Sequence, residues 1–383
     1  MDAAGNLYGT TYGYEQPCGS QCGTVFKMKP TGQGWILTPL YKFTGGSDGA
    51  NPYAGVVFGP DGALYGTTSY GGSYCPSNGQ YDYGCGTVFR LTPQPTACNS
   101  ALCPWTETVL YRFTGGANDG AFPFGPVTFD QAGNIYGTTY SGGVYTTNCY
   151  YGDNWCGTIF KLTHSNGGWT ESVPYIFNGG NDGANPVAGL TPDGAGNFYG
   201  PAEANGVGGG GTIFELTPSG SGSTLNTLLS FVSDSGGGYF PRGTLIFDPA
   251  GNLYGTTEFG GEYPNEGGTV FELSPSGGGW TISGGYSLPG VTEHGGPLAG
   301  VVRDSAGNLY GTAFQLGSNN VGLVFKLTPS SGGWTYTLLY EFAAGDGGSY
   351  PIGGLVLDAQ GNLYGTAGGG GAYNWGTVWE ITP

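Results

Sequence analysis

The sequence predicts an all-β fold, a seven-bladed β-propeller of four-stranded antiparallel blades with the first and last blades incomplete. Three observations predict it: a short motif present in seven copies, a second motif that follows each copy, and a glycine-rich, aromatic composition with no helical periodicity. The 82 glycines would suit a disordered chain, but 38% hydrophobic and 15% aromatic residues supply enough apolar area for a core. The glycines are therefore read as regularly placed turns.

The first motif, GNLYGTT at 5–11, returns at 62–68, 133–139, 196–202, 251–257, 307–313 and 361–367. We label it strand B. The second, strand C, reads GTVFKM at 23–28, GTVFRL at 86–91 and GTVWEI at 376–381. Between successive copies lie strand D, as in WTETVLYRF at 105–113, and strand A, as in GTLIFD at 243–248. Short β-rich runs bounded by Gly, Pro, Asn and Asp, four to a unit of 54 to 71 residues, match a propeller blade. A solenoid coil would be shorter, and stacked helices would show a 3.6-residue period. Residues 1–383 are read as a single propeller domain.

Within the blade, the short A–B turn carries Asp130 and Gly133 in one copy and Asp304 and Gly307 in another, which reads as turn capping. The second copy has Gly59 where the aspartate belongs. Strand A of the sixth copy carries Arg303 where others carry Phe or Leu, which points it at the channel or a gap between blades. The chain starts just before a B strand and stops after a C strand, so blade one lacks A and blade seven lacks D. Such unpaired edges predict a longer natural chain, or self-association through the terminal blade edges.

Charge and cysteine content narrow the function. With a net charge of −17 and only nine Lys plus Arg, no basic stripe exists for nucleic acid or anionic membranes. No apolar run is long enough for membrane insertion as a helix. The eight cysteines fall in close pairs, Cys18–Cys22, Cys75–Cys85, Cys98–Cys103 and Cys149–Cys156. They read as four local disulfides of an extracellular or cell-surface protein. The rival zinc reading has poor spacing and only His164 and His294 to add nitrogen, so no metal and no cofactor are expected.

The whole unit, GNLYGTT…GTVFKLTP…GGWT…LYxFTGGxDGAxP, resembles the GloVer-type tandem repeat of bacterial surface proteins, and its A–B pair is distantly similar to NHL-type repeats. The resemblance spans essentially the entire chain. It implies an exported bacterial protein held at the surface, and it implies no established activity, so no catalytic residue is carried over.

The B–C loops and the D–A loops share one face, and loops on a rigid scaffold are where binding usually resides. The first three B–C loops are long, disulfide-braced and aromatic. They carry Tyr12 and Tyr14, then Tyr70, Tyr74, Tyr81 and Tyr83, then Tyr145, Tyr150, Tyr151 and Trp155. Tyrosine joins a rigid apolar ring to a polar tip, which suits a glycan or another polar extracellular ligand. Asp48, Asp119, Asp182 and Asp346 recur in the D–A loops and read as turn formers rather than calcium ligands.

Two alternatives are carried forward. A polysaccharide hydrolase or lyase on the same face would draw on carboxylates that break the repeat, namely Glu15, Asp82, Asp153, Glu203, Glu258 and Glu262, with His294 for proton transfer. A structural subunit of a surface filament or matrix would use the open blade edges. The G-x-S-x-G match around Ser47 is a repeat loop whose sister copies lack the serine, and it carries no nucleophile.

Overall fold

The computed structural model describes the chain apart from residues 14–17, 19–20, 76–82, 94–104, 150–154, 166, 221, 234–235, 263–264, 291–294 and 383. The fold is a seven-bladed β-propeller. Blade one has strands B, C and D at Leu7–Thr11, Thr24–Thr31 and Gly34–Lys42. Blade two adds strand A, running Val57–Phe58, Leu64–Thr68, Thr87–Thr92 and Thr106–Arg112. Blades three, four and six repeat this four-strand order, blade five gains a fifth strand at Tyr239–Pro241, and blade seven stops at three. Strand A is short, two residues in each blade that has it.

Two compact units divide the chain. One comprises 1–179, 184–198 and 216–225, and carries blades one to three; the other comprises 180–183, 199–215 and 226–383, and carries blades five to seven. The repeat of blade four contributes to both.

Register explains why the two motifs must travel together. Strand B pairs with strand C so that the motif glycine faces the motif phenylalanine, Gly66 opposite Phe89 and Gly137 opposite Phe160. A Cβ on Gly137 would lie 2.5 Å from the Phe160 ring, so only glycine admits the ring. The rings of Phe89, Phe160 and Phe325 are fully buried, and each contributes roughly 1.5–3 kcal/mol. The last threonine of the B motif then meets the threonine of the C motif. Thr68 and Thr87 share a hydroxyl–hydroxyl bond of 2.8 Å, and so do Thr11 with Thr24, Thr139 with Thr158 and Thr257 with Thr269.

The first threonine reaches the next blade instead. Thr10 donates to Ala54 O, Thr67 to Gly125 O, Thr138 to Ala188 O and Thr256 to Ala299 O, all at 2.8–3.0 Å. Blade four reads FYGPA, and Pro201 has no hydroxyl to give. Aromatic edges add to the lock: Phe58 meets Tyr8, and Phe129 meets Tyr65, at 5.1 and 5.0 Å between centroids.

The A–B aspartates cap their turns as expected. Asp130 Oδ1 accepts from the N–H of Ala132 and Asn134, and Oδ2 accepts from Asn134 Nδ2. Burial opposes ionisation at Asp248, Asp304 and Asp358, but the asparagine side-chain and backbone bonds outweigh it and hold these carboxyls below the usual range. In the second copy Asp61 takes over the duty left by Gly59. It accepts from the Ala63 N–H and the Tyr65 hydroxyl and pairs with Arg90. The D–A aspartates are also turn formers: Asp48 accepts from Thr44 N and Oγ1, and Asp119 does the same with Thr114.

Candidate functional site

A cleft on the B–C and D–A face lies between blades one and two. The D–A loop of blade one pairs with the start of the next B–C loop, Ala50 N–H to Tyr70 O at 2.8 Å and Tyr70 N–H to Ala50 O at 3.1 Å. Gly72 N–H then reaches Gly46 O at 2.9 Å. Gly71 sits at φ +75° with its missing Cβ 2.6 Å from the Gly49 backbone, so the two loops meet main chain to main chain. Gly71 N–H bonds to Tyr83 O at 2.6 Å, which folds the far end of the loop back beside Tyr70. The Cys75–Cys85 disulfide ties the same ends together. Arg112 Nε anchors the opposite wall through Ser47 O at 2.8 Å.

The result is a cleft of about 690 Å³ lined by Tyr70, Tyr74, Tyr83, Ser47, Ser73 and a glycine floor. Tyr70 and Tyr83 stand edge to face, 6.4 Å apart and 88° inclined. Tyr74 projects with 71% of its surface exposed. Aromatic rings, side-chain hydroxyls and a glycine-lined floor therefore share one space, the mixture that binds amphipathic ligands.

The other expected aromatics fall elsewhere. Tyr12 opens a row of edge-to-face contacts through Tyr53 and Phe124 to Tyr140, with centroid steps of 5.9, 5.4 and 5.5 Å. Tyr145 and Trp155 form a third group at 5.6 Å, across an isolated bridge in blade three. Tyr14, Tyr81, Tyr150 and Tyr151 lie outside the described residues, as do Glu15, Asp82, Asp153, His294 and the Cys98–Cys103 pair. Cys18–Cys22 and Cys149–Cys156 are disulfides as read. Tyr53 and Phe124 were not among the expected site residues; they lie in the D–A loops, four residues before strand A, and not in the aromatic B–C loops. Their signal was an aromatic residue in the same repeat position of NPYAG and FPFGP.

Two of the repeat-breaking carboxylates come together in the second unit. Arg242 Nη2 lies 2.6 Å from Glu203 Oε1, and its Nε lies 2.8 Å from Glu258 Oε2. Glu203 follows strand B of blade four, and Glu258 occupies the same repeat position in blade five, where blades one and three carry Tyr12 and Tyr140. Burial pushes both carboxyls up against the pull of Arg242, and Glu258 reaches about 7 with repulsion from Glu203 adding to the rise. Glu203 is 2% exposed, so this is an ion triad with little access for a substrate. Glu262 stands exposed on the blade-five loop and joins no ion pair among the described residues. Arg242 went unnoticed in the sequence; it replaces an apolar or aromatic residue of other copies, such as Tyr53 and Leu298. Among the described residues, no three His, Cys, Asp or Glu side chains group closely enough to hold a metal ion.

Fold and repeats together define a tandem-repeat β-propeller with an aromatic cleft on its loop face. The chain belongs to the Gloeobacter/Verrucomicrobia repeat family, whose model matches residues 1–147, 77–290 and 265–383. No curated protein is similar to it in sequence. Among solved structures, it is similar to a protein of unknown function from Dyadobacter fermentans, at 12% identity and TM-score 0.39 over 68% of this chain and 82% of that one. It is also similar to a putative oxidoreductase (glucose dehydrogenase) from Thermus thermophilus, at 15% identity and TM-score 0.43 over 86% and 96% of the two chains. Likenesses of this strength carry no functional argument.

Proposed function

We propose that this chain is an extracellular ligand-binding propeller that takes carbohydrate in the cleft between blades one and two. The observation that carries the reading is the convergence of Tyr70, Tyr74 and Tyr83 on a cleft of about 690 Å³ with a main-chain floor. A pyranose ring has an apolar face that stacks on tyrosine and an equatorial rim of hydroxyls that Ser47, Ser73 and the peptide groups can meet. The Cys75–Cys85 bond fixes the loop before binding and so reduces the ordering cost. The disulfides are consistent with an extracellular location. A glycan array probed with the oxidised protein and with the Tyr74→Ala and Tyr83→Ala variants tests the reading. Binding that both variants lose supports it. A wild-type protein that binds no glycan, or variants that bind as before, would overturn it.

A further inference from the structure

A second cleft, of about 350 Å³, opens between blades five and six at the opposite end of the strands, among the A–B and C–D turns. Two departures from the repeat meet there. Strand D of blade five reads WTISGGYSL where blade six reads WTYTLLYEF, so Gly284 and Gly285 put no side chains into the space. The strand bulge also moves, falling between Glu272 and Leu273 instead of at the Val–Phe step used in blades one, two and six. The other departure is Arg303. Its counterparts Phe58, Phe129 and Phe247 lay an aromatic edge on the tyrosine of the preceding blade. Arg303 brings a guanidinium to that place.

The charges of the cleft are unevenly spent. In blades one, two, three and six a lysine or arginine of strand C lies over the strand-B tyrosine. Blade five has Glu272 at that point, and the Tyr254 hydroxyl bonds both to Glu272 and to the turn carboxylate of Asp248. Arg303 makes one long bond, Nη1 to Asp304 O at 3.4 Å, and joins no ion pair among the described residues. The nearby carboxylates Glu272 and Asp248 each accept the Tyr254 hydroxyl, and neither pairs with Arg303 among the described residues. Trp334 forms an indole wall, set edge to face on Tyr254 at 6.1 Å, and Ser283 lines the cleft with its hydroxyl accepting from Ser274 Oγ at 2.6 Å.

We infer that this cleft is a second binding site, for a small carboxylate-bearing ligand with an apolar face, the chemistry of a uronic-acid sugar residue. The guanidinium meets the carboxylate with paired N–H donors, and the indole covers the apolar side of the ring. The site is independent of the tyrosine cleft and stands or falls without it.

Calorimetric titration of the whole protein with an oligoglucuronate and with its neutral oligoglucose counterpart tests the inference. The oligoglucuronate is expected to bind, more weakly at higher salt, and the neutral sugar to bind at least about tenfold more weakly. Arg303→Leu installs the residue that blade seven has as Leu357, and is expected to weaken binding about tenfold or more. Ser283→Tyr, at an exposed position, is expected to fill the cleft and abolish binding, with circular dichroism checking that the strands are retained. Wild-type protein that ignores the oligoglucuronate overturns the inference, as does equal binding of the neutral sugar. Binding that survives Ser283→Tyr does so too, whatever becomes of the Arg303→Leu fold.

Discussion

Glu107 and Glu171 stand at the same repeat position, the second residue after the strand-D tryptophan, where blades one, five and six have Leu37, Ile282 and Tyr336. Each buries an Oε1 atom that has no hydrogen-bond partner among the described residues. Burial first, and the charge of Asp48 or Asp119 second, pushes each carboxyl from 4.5 up to about 7. A folded pKa above the unfolded one means that the folded state holds the proton more tightly. Stability from this source is complete below about pH 4.5 and is lost as the pH rises through about 7. The full displacement corresponds to about 3 kcal/mol per carboxyl. Both groups are only partly buried, so solvent screening reduces the effect to about 1 kcal/mol each. The double variant Glu107→Gln, Glu171→Gln should therefore lose about 2 kcal/mol of alkaline destabilisation. Thermal melts at pH 5 and pH 8 check this. The wild-type midpoint should fall between the two, and the variant should recover about 2–4 °C of that fall. The turn aspartates do not interfere, because their lowered carboxyls stay ionised throughout this window. Parallel pH profiles for the two proteins would refute the electrostatic account.

Three further outcomes follow from the packing. Arg242→Met removes the cation between two buried carboxylates and should cost about 3–5 kcal/mol in denaturant melts, largely restored when Glu203→Gln and Glu258→Gln are added. Gly137→Ala drives a methyl into the Phe160 ring and should cost about 1–3 kcal/mol by the same measurement, whereas an alanine at Gly133 meets no atom and should cost about 1–2 kcal/mol through backbone strain at φ +81° alone. Reduction of the disulfides should lower glycan affinity by freeing the loop that carries Tyr74 and Tyr83, while strand content followed by circular dichroism stays constant.

The strands were legible because their spacing is written in the motifs. Gly66 opposite Phe89, and Thr68 opposite Thr87, are register marks that recur in the text of the sequence. The Asp61 substitution was not legible, since a turn carboxylate displaced by two residues reaches the same hydroxyl of Tyr65 and no repeat alignment shows that. The site was legible only in part. Chain order assigns tyrosines to loops, but it does not say which loops touch, and the aromatics therefore fall into separate groups around Tyr12, Tyr74 and Trp155. Arg242 and Arg303 were hard to weigh for the same reason, because a cation inserted at an apolar repeat position gains meaning only from what the neighbouring blade brings to it.

The threonine pair at the base of the B–C loops of blades one, two, three and five has a consequence for how such a protein can change. The same 2.8 Å bond closes loops whose end residues are 13, 19, 19 and 12 positions apart. Loop closure grows only slowly more costly with length, so residues can be inserted or deleted beyond the staple while the strands below keep their register. Ligand preference and scaffold are thereby heritable as separate traits. A loop of one blade exchanged for that of another, of different length, is therefore expected to leave the strand pairing below it intact.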